Sequence, residues 1–468
     1  MPLTFASSLW VICVAGAVAS QAAFAATPAP SPTPPPTKGA LEPLRLHPQN
    51  PHYFLFRGKP ALLITSGEHY GAVMNLDFDY VPYLDELKAK GLNLTRLFSG
   101  AYCEEWGKPF NTLRPEPNRF LTPWARSATP GFAVGGNKFD LSKWDPVYFA
   151  RLKDFVAQAG KRGVVVEYVF FCVYYADAQW NISPFKVSNN VNGVGTCSRE
   201  AATSLGCGNL LAVQDAFVTK VLQELQDFDN VYFELCNEGG AGDWKDHLIE
   251  TITKTEAGLP NQHLIASDPT DNPKVSIFNI HYAKPRDVDN LYARGRAVAF
   301  DETGFQGGGD LPYRADAWDF LLAGGSVYDN LDWSFTVAKP DGTAPTQPNL
   351  GGGSPALREQ LKVLADFLHA FNLLKMKPDQ AILKGGLPQG TAARALVERG
   401  KQYAVFLRGG KQADLVLDLP AGTYKAEWIN TKTGAVAKSE PFTHGGGPKT
   451  LASPPYDADI ALRVLAEK

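Results

Sequence analysis

Two glutamates each end or follow an apolar run that has the character of a β-strand, and they are the residues best suited to acid–base chemistry. Glu238 follows the run YFELCN, and Glu302 ends the run AVAFDE. If both carboxyl groups point into one cavity, each raises the proton affinity of the other. One can then stay protonated as an acid while the other is ionised as a nucleophile. The pair therefore predicts a two-carboxylate site.

Hydrolysis of a glycosidic bond requires such a pair of carboxyl groups. In retaining enzymes the two groups stand about 5–5.5 Å apart and a covalent glycosyl-enzyme forms, whereas a gap of about 6.5–9.5 Å admits a water molecule and gives inversion. The sequence does not define the distance between Glu238 and Glu302, so both outcomes stay open.

A zinc site is an alternative chemistry, and the spacing of cysteines and histidines disfavours it. Structural and catalytic zinc sites commonly use closely spaced pairs such as C-x-x-C or H-x-x-x-H, and neither spacing occurs in the sequence. We expect no metal or organic cofactor.

Eight short runs rich in β-branched or aromatic residues must position these side chains, and they alternate with longer amphipathic stretches. The predicted strands are Ala61–Thr65, Asn93–Phe98, Val164–Phe171, Val231–Asn237, Leu264–Ser267, Ile277–Tyr282, Ala297–Asp301 and Ser326–Trp333. The predicted helices include residues 79–91, 145–163 and 210–228, and a last helix over Pro355–Phe371 follows the eighth strand.

Continuous apolar runs such as VVVEYVFF are typical of parallel strands that helices cover on both faces. Eight βα units in about 310 residues predict an α/β fold, a (β/α)8 barrel with long loops. An open doubly wound sheet is the alternative, and the lack of a Gly-rich phosphate-binding loop disfavours it. Active sites of such barrels lie at the carboxyl ends of the strands, so we expect Glu238 and Glu302 at the same rim.

The two ends of the chain predict further segments. An apolar run, Leu9–Val18, precedes an A-x-A site at residues 23–25, which indicates a cleaved signal peptide over 1–25 and a secreted or periplasmic protein. Residues 26–40 form a proline-rich linker, and residues 41–375 form the barrel. From 376 to 468, short alternating segments separated by turns predict an antiparallel β-sandwich, which either packs against the barrel or binds a ligand of its own.

Charge and cysteine usage restrict the partners. The formal net charge is only -3, so neither nucleic acid nor an anionic membrane is an expected partner. Cys197 and Cys207 lie in a Gly/Asn/Ser-rich loop and are the first choice for a disulfide in an exported protein. Cys103, Cys172 and Cys236 could supply one further pair. The oligomeric state does not follow from the sequence.

At Asn237-Glu238 and Glu302 the chain resembles the clan of retaining (β/α)8 glycoside hydrolases that includes the family 5 cellulases and mannanases. In that clan an Asn-Glu pair ends strand four and a second Glu ends strand seven. The resemblance implies Glu238 as acid/base and Glu302 as nucleophile. It also implies that an oligo- or polysaccharide is the substrate.

The same resemblance extends to other strand ends. Arg96 and Tyr282 match residues that orient the nucleophile, and His281 precedes Tyr282 at the end of strand six. Asn237 matches a residue that binds the sugar 2-hydroxyl. Trp333 matches a tryptophan that lies beneath the sugar ring at the cleavage point. The opening FLFRGKPALLITSGEHY and the segment QYAVFLRGG are similar to barrel hydrolases with a C-terminal sandwich labelled as collagen-binding. Strand three departs from family 5, because EYVFFCVYY carries no histidine.

Several of these residues also have structural interpretations. Glu234 is expected inside the barrel, paired with Arg96, and His281 and Trp333 suit core positions as well as a site. Glu68 and His69 follow strand one and could contact sugar hydroxyls or cap a helix. Aromatic residues that could stack on sugar rings follow strands two to four: Trp106, Trp180, Trp244, Tyr174 and Tyr175.

The sequence thus predicts an exported hydrolase of O-glycosidic bonds in which Glu302 attacks the anomeric carbon and Glu238 protonates the leaving oxygen. The competing hypothesis is a carbohydrate-binding or envelope scaffold protein that holds glycans in the barrel without cutting them. Sugar identity, linkage and endo or exo action stay open.

Overall fold

Eight parallel strands form the central sheet of the structure, a computed structural model that describes residues 42–346 and 350–467. The predicted signal peptide and proline-rich linker lie outside these residues. The strands are β1 (Leu63–Gly67), β2 (Leu94–Phe98), β3 (Val165–Cys172), β4 (Val231–Asn237), β5 (Ile265–Ser267), β6 (Val275–His281), β7 (Ala297–Thr303) and β8 (Val327–Leu331). Each overlaps the strand predicted from the sequence, and the α/β barrel is confirmed.

The strands are hydrogen-bonded in the order β1-β8-β7-β6-β5-β4-β3-β2, and every pair in this row is parallel. Asn93 joins the two ends of the row. Its amide N–H donates to the Ile64 carbonyl, its side-chain oxygen accepts from the Ile64 N–H at 2.9 Å, and its side-chain nitrogen donates to the Leu62 carbonyl at 2.7 Å. One side chain therefore substitutes for ladder bonds at the seam between β1 and β2.

Eight α-helices accompany the barrel and sandwich in the described residues. They are α1 (Tyr80–Ala89), α2 (Pro146–Lys161), α3 (Asp177–Ile182), α4 (Leu210–Leu225), α5 (Gly242–Glu256), α6 (Pro285–Leu291), α7 (Asp310–Leu322) and α8 (Pro355–His369). The side chains of Asp79, Asp145 and Ser354 accept hydrogen bonds from backbone N–H groups in the first turns of α1, α2 and α8. Each of these helices therefore has a capped N-terminus. No helix intervenes between β5 and β6, so the outer layer of helices is interrupted at this point.

Long loops follow β2 and β3. The first contains an antiparallel hairpin of strands Trp124–Pro130 and Asn137–Trp144. The second contains the predicted disulfide, which joins Cys197 and Cys207 with 5.5 Å between their Cα atoms. Cys103, Cys172 and Cys236 are buried free thiols, so the further pair that the cysteine count allowed does not form.

Two antiparallel sheets follow the barrel, which confirms the predicted sandwich. One sheet contains, in spatial order, Lys377–Pro378, Ala392–Glu398, Gln402–Arg408, Asp459–Ala466, Gly422–Ile429 and Val436–His444. The other contains Leu383–Gly385, Asp414–Leu419 and Gly447–Ala452. Their facing side chains, among them Val405, Leu417 and Trp428, form a separate hydrophobic core.

The sandwich packs against helix α7 of the barrel. Trp318 is fully buried, with its ring 5.4 Å from that of Phe406 in the sandwich and 4.9 Å from that of Phe367 in α8. Beside it, the guanidinium of Arg314 contacts the carboxylate of Asp459 at 2.9 Å, and both groups are buried. The interface thus joins an aromatic cluster to a buried ion pair.

Within the described residues, no helix is long and apolar enough to cross a membrane.

Replacing Trp318 by Ala should lower the free energy of unfolding by about 3–5 kcal/mol, because it removes a large buried ring and leaves a cavity between α7 and the sandwich. Urea denaturation followed by circular dichroism measures the change. Val436→Ala, at an exposed position of the sandwich, serves as the control and should shift stability by less than about 0.5 kcal/mol. Equal effects of the two substitutions would contradict the packing described here.

Candidate active site

The two predicted glutamates meet at the carboxyl end of the barrel. Glu238 directly follows β4, and Glu302 lies near the end of β7. A carboxylate oxygen of each and a ring nitrogen of His281 all lie within 4.8 Å of one another. Both glutamates line the same cavity of ≈ 250 Å³, which we call the inner cavity. The structure therefore brings the predicted pair together.

The backbone at this rim adopts conformations that ordinary side chains avoid. Glu238 has φ 52°, Tyr282 has φ 53° and Phe305 has φ 58°. The left-handed region is uncommon for residues with a Cβ, and it costs on the order of 1–3 kcal/mol for each residue. All three residues line the inner cavity. Such conformations cluster at functional sites, and here they turn side chains at strand ends into the cavity.

A bulge in β7 explains why Glu302 and its neighbour both point inward. Asn279 and His281 of β6 pair with Ala299 and Glu302 of β7, so β7 contains one extra residue over this interval. The pairing of β7 with β8 shifts at the same place. Strict alternation would send Asp301 and Glu302 to opposite faces, but a bulge re-aims one of them. Asp301 is fully buried, whereas Glu302 lines the inner cavity.

Arg96 in β2 is the buried cation at the centre of the site. Its guanidinium donates to Glu302 Oε2 at 3.1 Å, to Asn237 Oδ1 at 2.6 Å and to Glu234 Oε2. It lies 3.6 Å from a carboxylate oxygen of Asp301. The expected pairing of Arg96 with Glu234 is present. Arg96 thus orients the side chains of Glu302, Asn237 and Glu234. Its positive charge also neutralises buried negative charge.

The surroundings of Glu302 favour its ionised form. Tyr282 donates a hydrogen bond to Glu302 Oε1 at 3.3 Å, and a ring nitrogen of His69 lies 3.8 Å from Oε2. Burial by itself raises the pKa of Glu302, but His281, His69 and Arg96 outweigh burial and lower this pKa to about 2. Glu302 is therefore a carboxylate at neutral pH, as a nucleophile must be.

Glu238 shares a proton with His281. Its Oε1 lies 2.7 Å from His281 Nδ1, while His281 Nε2 lies 3.5 Å from Asp301. Burial lowers the pKa of His281, but Glu302, Asp301 and Glu238 more than offset this and hold it well above its ordinary value. Burial raises the pKa of Glu238, and the hydrogen bond and charge of His281 reverse that shift. These two shifts favour a proton on His281 Nδ1, which is hydrogen-bonded to the Glu238 carboxylate.

Glu68 and His69 are buried and neither lines the inner cavity, so their contact with sugar hydroxyls stays a prediction. The Glu68 carboxylate accepts hydrogen bonds from the backbone N–H groups of residues 70, 71 and 72, which fixes the loop after β1. His69 is fully buried, and its Nε2 lies 3.2 Å from Asp329. His69 lies beside Glu302, outside the lining of the inner cavity, and helps to lower the pKa of Glu302.

The predicted aromatic surfaces are also mostly internal. Trp180 is 4% exposed and packs on Tyr174, and Trp244 is fully buried. Trp106 packs edge-on against Phe120 and donates its indole N–H to the Cys103 sulfur. These rings stabilise the loops, because the loops after β2 and β3 fold over their own side chains. Neither Trp106 nor Trp180 lines the inner cavity.

Trp333 is buried behind Phe305. The two ring centroids are 5.1 Å apart, and Phe305 is half exposed and lines the inner cavity. The ring that faces the cavity is therefore Phe305, three residues after Glu302, with Trp333 as its support.

Sequence reasoning missed several residues of the inner cavity. They are Tyr70, Phe98, Tyr102, Glu104, Phe110, Cys172, Gln179 and Phe305. Tyr175, named above as a possible stacking residue, lines this cavity and accepts a hydrogen bond from Asn237 at 2.8 Å. The position of Phe305 just after β7 could have indicated that it belongs to the site. Glu104 and Gln179 lie within long loops, where no periodicity in the sequence indicates which way a side chain points.

Two groups of side chains have the donor spacing of a cation site. One is Glu238, His281 and Glu302, and the other is Glu234, His281 and Asp301. Both use His281, so they do not form two independent sites. Arg96 already contacts Glu234 and Glu302, and a cation there would face its charge.

Comparison with known proteins supports the fold. No protein-family model matches the chain, and no curated protein matches it in sequence. Among solved structures, a protein named glycoside hydrolase superposes with a TM-score of 0.58 at 15% identity, over 91% of this chain and 97% of its own. A glycoside hydrolase family 5 protein from Bacteroides vulgatus gives 0.60 at 14% identity, over 91% of this chain and 93% of its own. This chain has their fold.

A third structure, of another Bacteroides vulgatus protein, superposes with a TM-score of 0.64 at 14% identity and covers 92% of this chain and 84% of its own. The matches extend well beyond the length of the barrel. The likeness therefore includes the combination of a barrel with further structure, as the resemblance of the segments FLFRGKPALLITSGEHY and QYAVFLRGG implied.

The depressed pKa of Glu302 predicts a specific loss of stability in acid. A carboxylate with a pKa of about 2 in the folded state and an ordinary value of 4.5 contributes stability above pH 4.5, which is lost as the pH falls towards 2. Between pH 6 and pH 3 this contribution should fall by about 2 kcal/mol. Glu302→Gln should lack this component, so urea unfolding of both proteins should show the wild type losing more stability than the variant. Parallel pH dependences would contradict it.

Proposed function

We propose that this protein is an exported glycoside hydrolase that cleaves O-glycosidic bonds of an oligo- or polysaccharide by a retaining double displacement. The observation that carries the proposal is the approach of Glu238 and Glu302, whose nearest oxygens lie within 4.8 Å. This spacing is nearer to the about 5–5.5 Å of retaining enzymes than to the about 6.5–9.5 Å of inverting ones, which supports a retaining mechanism.

In the first step Glu302, held ionised by its cationic neighbours, attacks the anomeric carbon, and the bond to the leaving oxygen breaks. Glu238 donates the proton that it shares with His281 to that oxygen. In the second step Glu238 accepts a proton from water, whose oxygen attacks the anomeric carbon and displaces Glu302. Arg96 and Tyr282 hold Glu302 in position, and Asn237 lies in the cavity wall where a sugar hydroxyl would reach it.

Two further observations support this function. Solved structures that share this fold include proteins named glycoside hydrolases. The Cys197–Cys207 disulfide suits an oxidising compartment, which agrees with the predicted signal peptide. The expected partner is a carbohydrate substrate.

Replacing Glu302 by Gln should reduce turnover of a fluorogenic glycoside by at least about 1,000-fold, because the amide cannot form the glycosyl ester. The substrate is the one that wild-type protein cleaves in a panel of aryl glycosides and natural glycans. Glu200→Gln, on an exposed loop, is the matched control. Near-normal turnover by E302Q would remove the nucleophile assignment, and binding without product release by the wild type would favour a scaffold protein.

Replacing Glu238 by Ala should slow glycosides with poor leaving groups far more than dinitrophenyl glycosides, since only the former need a proton donor. Added azide should restore turnover of the dinitrophenyl glycoside and give a glycosyl azide of retained configuration, because azide fits the space left by the carboxylate. Nuclear magnetic resonance identifies the anomer. Equal losses on both substrates, or an azide product of inverted configuration, would contradict the acid/base assignment.

A further inference from the structure

Glu238 lies between two cavities of different size. The inner cavity of ≈ 250 Å³ contains both glutamates. A second cavity of ≈ 560 Å³, the outer cavity, contains Glu238 and His281 but not Glu302. In the proposed reaction the anomeric carbon must lie at Glu302 and the leaving oxygen at Glu238. The sugar that is attacked therefore occupies the inner cavity, and the group that leaves extends into the outer one.

The inner cavity is small and is bridged by aromatic rings. Its volume lies below the roughly 300–1,000 Å³ of sites for drug-sized ligands, which leaves space for one sugar ring. Phe110, from the loop after β2, meets Phe305, from the loop after β7, edge to face with ring centroids 6.4 Å apart. Both rings line the cavity. This contact between opposing loops narrows the inner cavity on the side where a longer chain would have to continue.

A third carboxylate is fixed in the wall of the inner cavity. Glu104 is 5% exposed and accepts hydrogen bonds from Tyr102 Oη at 2.6 Å, from Gln179 Nε2 at 3.2 Å and from the N–H of Glu105 at 3.0 Å. A carboxylate can accept about four hydrogen bonds, so capacity remains for a ligand. Its donors come from two different loops, which hold the group rigidly, and the mechanism does not use it. Sugar hydroxyls are the donors that it would recognise.

The outer cavity lies where the outer layer of helices is interrupted, between β5 and β6. Strand β5 has only three residues, Ile265–Ser267, and β6 follows it without an intervening helix. Asp268 and Pro269, which follow β5, and Asn290 and Leu291 of the region around α6 line this cavity. It is about twice as large as the inner cavity and mixes polar and apolar side chains, as a site for more than one sugar unit would.

We propose that the protein acts on chain ends and releases single sugar units, with Glu104 binding hydroxyl groups of the released sugar and the outer cavity binding the remainder of the chain. This inference rests on the proposed glycoside hydrolysis and assigns the substrate class of the same site. It makes Glu104 a specificity-determining residue and Asn290 a contact for the leaving group.

The first test is the product pattern of the wild-type protein on oligosaccharides labelled with a fluorophore at the reducing end. Stepwise loss of one sugar per cleavage is expected from the earliest time points. Early labelled fragments that are shorter by several sugars would overturn chain-end action while leaving glycoside hydrolysis intact. A protein that cleaves neither labelled oligosaccharides nor aryl glycosides would overturn the inference together with the proposed function.

The second test compares Glu104→Gln with Glu105→Gln, the same change at the neighbouring residue, which does not line the cavity. On aryl monoglycosides E104Q should lower kcat/KM by roughly 10- to 100-fold, because a hydrogen bond to a charged group is lost, whereas E105Q should change it little. A set of singly deoxygenated glycosides identifies the hydroxyl. On the analogue without that hydroxyl, E104Q and wild type should have equal kcat/KM. An equal loss of kcat/KM on every analogue would overturn the recognition role.

Asn290→Ala tests the outer cavity. The variant should lower kcat/KM for labelled oligosaccharides by a few-fold more than for aryl monoglycosides, since only the former place sugars in the outer cavity. An equal effect on both substrates, or no effect on oligosaccharides, would overturn the assignment of this cavity.

Discussion

Four carboxylates lie within 4 Å of the buried guanidinium of Arg96, and the candidate site depends on this arrangement. Glu302 and Glu234 accept hydrogen bonds from it, and Asp301 and Glu167 lie 3.6 and 3.9 Å away. Buried charges of one sign repel strongly in a medium that screens them poorly. Without the cation, several of these carboxyl groups would have to bind protons. Arg96 acts with His281 and His69 to keep Glu302 ionised in a barrel interior that would otherwise neutralise it.

His281 is the second cation of the same network, and it divides the roles of the two glutamates. Its ring contacts Glu238 through Nδ1 and approaches Asp301 through Nε2. Glu302 is enclosed by His281, His69 and Arg96, which fix it as an anion. Glu238 is more exposed and lies beside one proton donor, His281 Nδ1. The difference between Glu238 and Glu302 arises from the groups around each carboxylate, since the two side chains are chemically identical.

The barrel could be predicted almost completely from the sequence, because strands such as β3 and β4 are continuous apolar runs that only a parallel sheet buries on both faces. The two glutamates could be predicted because they stand at the ends of such runs. The choice between Asp301 and Glu302 could not be derived from alternation, since a one-residue bulge overrides the two-residue period. The burial of Trp180 and the exposure of Phe305 depend on how long loops fold back on the barrel. That packing is set by distant contacts and leaves no local pattern.

Helix α7 follows the strand that carries Glu302, and its residues Tyr313–Leu322 are buried without interruption. A helix enclosed on every side requires two partners, and here one face covers the barrel while the other lies under the sandwich. The C-terminal sheets consequently complete the burial of α7 and do not form a separate body beside the barrel. Loss of those sheets would leave a bare apolar surface on the helix that follows the strand of Glu302, so the barrel depends on the sheets for the burial of its own helix.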